Sequence, residues 1–146
     1  TKIPTTPAER LKFKRQHVDA KMTANDCNKK ISCRNIYKND NSCKTTNTFI
    51  LSDEKTVKSI CQGEGRYDSK SGMTYSKKHF RIVKCKLKSR GGRKPHCQYR
   101  GKRFTNRTIA VRCDEGLPVH YSDNDIDLIT LGKENNKEIK KYVIVS

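Results

Sequence analysis

The spacing of hydrophobic and polar positions predicts helices in the first part of the chain. Ala8, Leu11 and Val18 recur at helical spacing along one face of a segment near the N-terminus. Residues 6–9 (T-P-A-E) begin this segment with Thr at the N-cap, Pro at the first helical position and Glu at the third, as in a capping box. The same reasoning predicts two further helices, over residues 25–35 and 52–61.

The later part of the chain has the alternating spacing of strands. In residues 81–88, Val83 and Cys85 point to one side of the predicted strand and the intervening lysines point to the other. Residues 108–113 alternate in a similar way and again carry a cysteine on the apolar side. A disulfide in the core requires that placement. Between the two segments, residues 90–95 (R-G-G-R-K-P) have the composition of a turn.

The composition limits how such elements can be held together. The chain has 146 residues, which fits one domain with at most a tail, and only 32% of them are hydrophobic. This leaves too little apolar surface for a core held by burial alone. No apolar run approaches the roughly 20 residues that span a bilayer, and no signal-peptide core begins the sequence, so we expect any signal peptide to have been removed already.

The charge is large and unevenly distributed. The formal net charge is +18, and because residues 122–146 hold five acids against four lysines, all of it lies on residues 1–121. Residues 69–113 contain 15 Lys and Arg and no Asp or Glu. Like charges at this density repel one another, so we expect a polyanionic partner. Nucleic acid, a heparan-type glycan and anionic lipid all fit that description.

Seven cysteines offer the missing stabilisation. None forms a C-x-x-C pair and the histidines lack zinc-finger spacing, so a disulfide framework is favoured over structural zinc. Such a framework indicates an oxidising compartment and a secreted protein. Because seven is odd, at least one thiol is left over or pairs between chains. The cysteines are Cys27, Cys33, Cys43, Cys61, Cys85, Cys97 and Cys113.

Histidine offers the most direct candidate chemistry, since its pKa is close to neutral pH. Of the four histidines, His17 lies on the first predicted helix and His120 lies in an extended stretch at residues 117–121. Isolated histidines of this kind are more often structural than catalytic. Composition and spacing alone do not select these two as a pair.

Three motifs carry a resemblance that does select them. Residues 12–17 (K-F-K-R-Q-H), 43–49 (C-K-T-T-N-T-F) and 118–121 (P-V-H-Y) occur in that order, and the second matches the pattern C-K-x-x-N-T-F at every fixed position. Over residues 8–122 the sequence resembles the pancreatic-type ribonuclease superfamily. It is most similar to the three-disulfide, angiogenin-like or non-mammalian branch, because residues 62–84 contain no cysteine for a fourth bridge.

The resemblance implies an α+β fold, with three helices packed on a bent, V-shaped antiparallel β-sheet. This domain would occupy residues 1–122, followed by a C-terminal extension of uncertain structure at residues 123–146. The implied disulfides are Cys27–Cys85, Cys43–Cys97 and Cys61–Cys113.

The resemblance also implies a mechanism. His17 would be the general base for the ribose 2′-OH, His120 the general acid for the leaving 5′-oxygen, and Lys44 the cation that stabilises the transition state. No metal or cofactor is expected. Single-stranded RNA would be cut 3′ of pyrimidines through a 2′,3′-cyclic phosphate, and DNA would bind without being cut because it lacks the 2′-OH.

Further substrate contacts follow from the same matches. Gln16 would contact the scissile phosphate and Thr48 would read the base through its backbone and hydroxyl. The remaining implied contacts are Asn47 and Tyr121 near the catalytic groups, Lys12 and Arg15 at a neighbouring phosphate, and Asp114 or Glu115 at a second base.

Three positions depart from the family pattern. Lys84 replaces a common Asp that tunes Thr48, which leaves the choice between uracil and cytosine open. Ser122 replaces an Asp that helps to orient the catalytic His120, with Asp123 one place on. Tyr121 replaces Phe, a mild change.

Three features lie outside the motifs. Cys33 is the odd cysteine, and it is either a free thiol or the link in a disulfide-bonded homodimer. Asn106-Arg107-Thr108 is an N-glycosylation sequon. The extension at residues 123–146 is either loosely ordered or folds back to bring its acids near the cationic cleft and lower activity.

Three functions therefore stay open at the level of sequence. One is a secreted endoribonuclease, and another is a cationic host-defence protein whose antibacterial action depends on anionic membranes. The third is an angiogenin-like protein with weak activity that is taken up by cells and reaches the nucleus. RNA is the expected partner, with membranes, heparan-type glycans and a cytosolic ribonuclease inhibitor as additional ones.

Overall fold

The computed structural model describes residues 7–88, 91–122 and 126–127. Three α-helices form where the sequence predicts helices, but the second and third are shorter than expected. Within residues 25–35, the chain first makes a 3₁₀ turn at Ala24–Asp26, capped by Thr23, before the helix begins. None of the described helices is long and apolar enough to cross a membrane. The helices are α1 (Pro7–His17), α2 (Cys27–Cys33) and α3 (Glu54–Ser59).

The start of α3 follows from local capping. Asp53 caps α3, and its side chain accepts a hydrogen bond of 2.7 Å from the backbone N–H of Thr56. That capping bond explains why the helix starts after residue 52. The predicted cap at Thr6 lies outside the described residues.

Within the described residues, eight strands form two antiparallel sheets of four, with the orders β1-β4-β5-β8 and β2-β3-β6-β7. Three helices and two antiparallel sheets confirm the α+β class. The strands are β1 (Thr46–Ile50), β2 (Gly65–Asp68), β3 (Met73–Ser76), β4 (Phe80–Leu87), β5 (Tyr99–Thr108), β6 (Ala110–Asp114), β7 (Leu117–Tyr121) and β8 (Ile126–Asp127).

The strand predicted over residues 108–113 is present from Ala110 onward, but it is interrupted at residue 109. Thr108 ends β5 in the first sheet, and Ala110 begins β6 in the second, so the chain changes sheets at the buried Ile109. The Ile109 carbonyl accepts a hydrogen bond from the backbone N–H of Ser76, which anchors the change. Alternation of apolar residues continues through such a junction, and it therefore cannot reveal the break.

Each face of the first sheet covers a separate hydrophobic core. Ile50 and Ile82 are opposite one another in the β1–β4 register and belong to one cluster, which includes Phe13 of α1. Phe49 and Val83, the neighbouring pair, belong to the other cluster together with α2. This arrangement places α1 against β1, where the candidate site forms.

Lys84 departs from the simple alternation of β4. Lys86 and Lys88 are exposed as expected, but Lys84 is only 1% exposed. It lies directly opposite Thr48 on the central strand β4, and its ammonium is 5.8 Å from the centre of the Phe104 ring. A pattern of charges along one strand cannot indicate such burial, because the covering groups come from neighbouring strands.

The three expected disulfides are confirmed as Cys27–Cys85, Cys43–Cys97 and Cys61–Cys113. Their sequence separations are 58, 54 and 52 residues. By the chain-entropy model, each closure of that length stabilises the fold by about 4 kcal/mol. The disulfides thus supply much of the stability that the low apolar content does not.

Candidate active site

His17 occupies the last position of α1, at the junction with β1. The next residue, Val18, bridges Ile50 of β1, and this brings the imidazole against the strand. Its Nδ1 lies 2.8 Å from the carbonyl oxygen of Thr48. Because a carbonyl only accepts, Nδ1 carries the proton and Nε2 keeps its lone pair.

Two aromatic rings hold the imidazole of His17. Its ring stacks on Tyr121 with centroids 5.0 Å apart and lies 5.4 Å from the Phe13 ring. Burial lowers the pKa of His17 to about 3, and the nearby positive charges of Lys44, His120 and Lys12 lower it as well, while the Thr48 carbonyl opposes them. At neutral pH the imidazole is therefore uncharged, which is the form able to accept a proton.

Lys44 is held by a chain of hydrogen bonds that leads back to α1. Its ammonium donates to Oδ1 of Asn47 at 2.9 Å, and the Asn47 amide donates to the Gln16 carbonyl at 2.9 Å. The hydroxyl of Tyr99 donates to the Lys44 carbonyl at 2.7 Å, and the Cys43–Cys97 disulfide begins one residue earlier. Side chain and backbone of Lys44 are thus both fixed beside the end of α1.

His120 comes from the other sheet. It lies on β7 opposite Arg112 of β6, and unlike His17 it is exposed. Strand β7 packs against α1, so His17 and His120 face a common cleft. The cleft has a volume of about 560 Å³. Its lining includes Lys12, Gln16, His17, Lys44, Arg112, His120 and Tyr121.

The cleft combines the groups that phosphodiester cleavage requires. A buried neutral imidazole can take a proton, an exposed imidazole can donate one, and a fixed ammonium can stabilise negative charge between them. Glu9 is the one acid that lines the cleft within the described residues, against several cations. An anionic substrate is therefore favoured.

Several residues that the resemblance assigned to substrate binding lie away from this cleft. Arg15 donates to the carbonyls of Arg34 and Asn35 at 2.8 Å each. Glu115 forms an ion pair of 2.8 Å with Arg10. Asp114 is half-buried at the end of β6, and it too is absent from the cleft lining.

Thr48 is fully buried. Its hydroxyl is enclosed, has no hydrogen-bond partner within the described part of the chain, and does not line the cleft. The phosphate region of the site is therefore open in this structure, whereas the hydroxyl expected to read the base is covered.

Sequence reasoning missed Arg112 and Lys38 as cleft residues. A signal for Arg112 was present, because the alternation in residues 108–113 already separated it from the apolar side. Lys38 lies in a segment with no regular pattern, and it reaches the cleft only through the tertiary fold.

Comparison with known proteins agrees with this geometry. The family model described as pancreatic ribonuclease matches residues 8–122. An angiogenin of Sus scrofa is 38% identical over 122 residues, covering 78% of this chain and 76% of the relative. A ribonuclease of Chelonia mydas is 36% identical over 115 residues, covering 75% of this chain and 92% of the relative.

Solved structures agree in fold as well as in sequence. The X-ray structure of zebrafish RNase5 superposes with a TM-score of 0.74 at 39% identity, covering 80% of this chain and 93% of that one. The family match spans most of the chain and includes His17, Lys44 and His120, which line the cleft. The chain belongs to the pancreatic ribonuclease family of RNA-cleaving enzymes.

Proposed function

We propose that this protein is a secreted endoribonuclease that cuts single-stranded RNA 3′ of pyrimidines by transphosphorylation. The observation that carries the proposal is the single cleft lined by His17, Lys44 and His120. Three disulfides and the extracellular character of disulfide-rich domains support secretion.

The proposed reaction has two steps. Nε2 of His17 takes the proton of the 2′-OH, the 2′-oxygen attacks phosphorus, and His120 protonates the leaving 5′-oxygen. The Lys44 ammonium stabilises the charge that develops on the non-bridging phosphate oxygens, so the proposal requires no metal ion. The product is a 2′,3′-cyclic phosphate, which water then opens with the two histidines in exchanged roles.

The pH dependence offers a test of the role of His17. Burial and neighbouring cations hold its pKa at about 3 in the free protein, and a bound phosphodiester would offset those cations and raise it. Since kcat/KM reports the free enzyme and kcat reports the complex, we expect the acid limb of kcat at higher pH than that of kcat/KM. Steady-state kinetics on a dinucleotide between about pH 2 and pH 8 measures both limbs. Acid limbs of kcat and kcat/KM at the same pH would contradict the assignment of His17 as the general base.

The covered hydroxyl of Thr48 favours a second candidate, an angiogenin-like protein with weak ribonuclease activity. The chain leaves the second sheet at Tyr121 and pairs again at β8 with Arg107 and Thr108 of the first sheet. We therefore propose that the C-terminal extension restricts access to the base site.

Deleting residues 124–146 should then raise kcat/KM for RNA. The gain should exceed that for a small aryl phosphate substrate, which needs no base site. Parallel kinetics on the full chain and the truncated chain measures this difference. Equal activity of the two chains on RNA would show that the extension leaves the base site unaffected.

Lys84 should determine which pyrimidine is preferred. It lies opposite Thr48 in the register, and an ammonium donates hydrogen bonds but cannot accept them. The Thr48 hydroxyl is then left to donate to the base, where N3 of cytosine accepts and N3–H of uracil does not. We expect a cytidine-first dinucleotide to be cleaved about tenfold faster than its uridine-first equivalent, as one such bond would provide.

Substitution of Lys84 separates this explanation from a general charge effect. The quantity to compare is the ratio of the cleavage rates of the cytidine-first and uridine-first dinucleotides. Lys84→Asp should shift this ratio in favour of uridine, and Lys84→Met should bring it close to one. Lys86→Asp makes the same charge change at an exposed position of the same strand and should leave the ratio unaltered. An identical ratio in all four proteins, each shown to be folded by circular dichroism, would rule out a role for Lys84.

A further inference from the structure

A second groove lies on the first sheet, outside the active-site cleft. It has a volume of about 620 Å³ and carries four basic side chains from the segment before β4, from β4 itself and from β5. The lining within the described residues contains no Asp or Glu. The basic groove is defined by Lys78, His79, Arg81 and Arg103, with hydroxyl and amide groups from Ser52, Thr56, Thr105 and Asn106.

The basic side chains of this groove are all exposed. In the part of the chain that the structure describes, none of the four forms a side-chain hydrogen bond or an ion pair with an acid. Elsewhere, cations such as Arg34 and Lys30 are paired with Asp19. The three fixed cations among them, Lys78, Arg81 and Arg103, repel one another, and an anion bound between them would relieve that repulsion.

The basic groove is separate from the base-reading side of the sheet. Arg103 lies opposite Val83, whereas Thr48 lies opposite Lys84. Successive residues of a strand project to opposite faces, so Arg103 and Thr48 are on different sides of the sheet. An RNA strand whose base contacts Thr48 would have to pass around the sheet to reach the groove.

The chemistry of the groove also differs from that of single-strand nucleic-acid sites. Such sites combine cations with exposed aromatic rings on which bases stack. Here the lining holds no Trp or Tyr, and its phenyl ring, Phe80, is 5% exposed and packs in the hydrophobic core, which leaves the imidazole of His79 as the exposed ring. Guanidinium and ammonium groups beside hydroxyls and an amide instead match the sulfates, carboxylates and hydroxyls of a sugar polymer.

We propose that the basic groove binds a sulfated glycosaminoglycan of the heparan class, independently of catalysis. Disulfide-bonded proteins occur where such glycans are abundant, at the cell surface and in the extracellular matrix. Asn106, within the glycosylation sequon, lines the same groove and is exposed. A glycan attached there would compete for the groove, so the test uses the full chain made without glycosylation.

The test is the affinity of purified protein for a defined heparan sulfate oligosaccharide, measured by titration calorimetry. Removal of two charge-assisted contacts in Arg81→Ser/Arg103→Ser should weaken binding by about tenfold or more. The matched control is Lys86→Ser/Arg100→Ser, which removes two exposed charges from a cross-strand pair on the same two strands. Cleavage of a dinucleotide should be unchanged in both variants.

A single-stranded DNA oligonucleotide serves as the competing polyanion, since it lacks the 2′-OH and is not cut. The proposal requires the groove variant to lose more affinity for the glycan than for this DNA, and more than the control variant loses. The proposal would be overturned if the groove variant and the control variant lost equal affinity for the glycan. It would also be overturned if the groove variant lost equal affinity for the glycan and for the DNA. If Arg81→Ser/Arg103→Ser does not fold, Lys78→Ser tests the same surface by the same criteria, with Lys86→Ser as its matched control. Because dinucleotide cleavage is measured separately, a failed ribonuclease assignment would not be mistaken for a failed glycan site.

Discussion

Replacing His120 by Ala should lower kcat/KM for a pyrimidine dinucleotide and for tRNA by about 10²–10⁴-fold, the usual contribution of general acid–base catalysis. The reason is that the 5′-oxygen must leave as an alkoxide when no acid protonates it. His120 is exposed on β7, so its removal should not disturb the fold. Initial rates together with thermal unfolding of the variant measure the two effects separately.

Two comparisons make this prediction specific. His96→Ala removes an exposed histidine that does not line the cleft, and it should retain wild-type activity. A substrate with an aryl leaving group needs no proton, so His120→Ala should recover most of its activity on that substrate. Under the same conditions His17→Ala should stay impaired, because the base is required for either leaving group. An equal loss on both substrates would show that His120 is not the acid.

Replacing Lys44 by Ala should lower kcat by about 10²–10³-fold, as expected for removal of a preorganised group that stabilises the transition-state charge. The effect should fall mainly on kcat rather than on KM, because the negative charge on phosphorus increases as the transition state forms. Single-turnover and steady-state kinetics on a dinucleotide distinguish the two parameters.

Lys38 provides the matched control for Lys44. It also lines the cleft but lacks the Asn47 bond that fixes Lys44. Lys38→Ala removes the same charge and should change kcat severalfold at most. Asn47→Ala removes the hydrogen bond that positions Lys44 but keeps the charge of Lys44. The decrease in kcat for this variant should lie between those for Lys38→Ala and Lys44→Ala. Similar losses for Lys38→Ala and Lys44→Ala would mean that the cleft supplies only diffuse positive potential.

The parts of the structure that could be predicted from sequence are those fixed by local patterns or by motifs. The first helix is present where the spacing of its apolar residues predicts one, and the three disulfides join the cysteines that the resemblance implied. His17, Lys44 and His120 lie far apart along the chain, and only the motifs linked them. Periodicity could not have done so, because the three residues come from α1, the segment before β1, and β7.

The features that could not be predicted from the sequence depend on contacts between distant segments. Burial of Lys84 depends on the strands on either side of it, and the buried Thr48 lies opposite it only through the β1–β4 pairing. The change of sheet at Ile109 leaves the apolar alternation intact. The basic groove likewise joins residues 78–81 to Arg103, which are adjacent only through the β4–β5 register.

The most direct test of the central claim is the identity of the product that wild-type protein releases from a cytidine-first dinucleotide in the presence of a chelator. Phosphorus NMR should detect a 2′,3′-cyclic phosphate that appears first and is then converted more slowly to the 3′-phosphate. The analogue with a 2′-deoxyribose at the cleavage site should remain intact. Release of a 3′- or 5′-phosphate without the cyclic species, or cleavage of the deoxy analogue, would contradict transphosphorylation by His17 and His120.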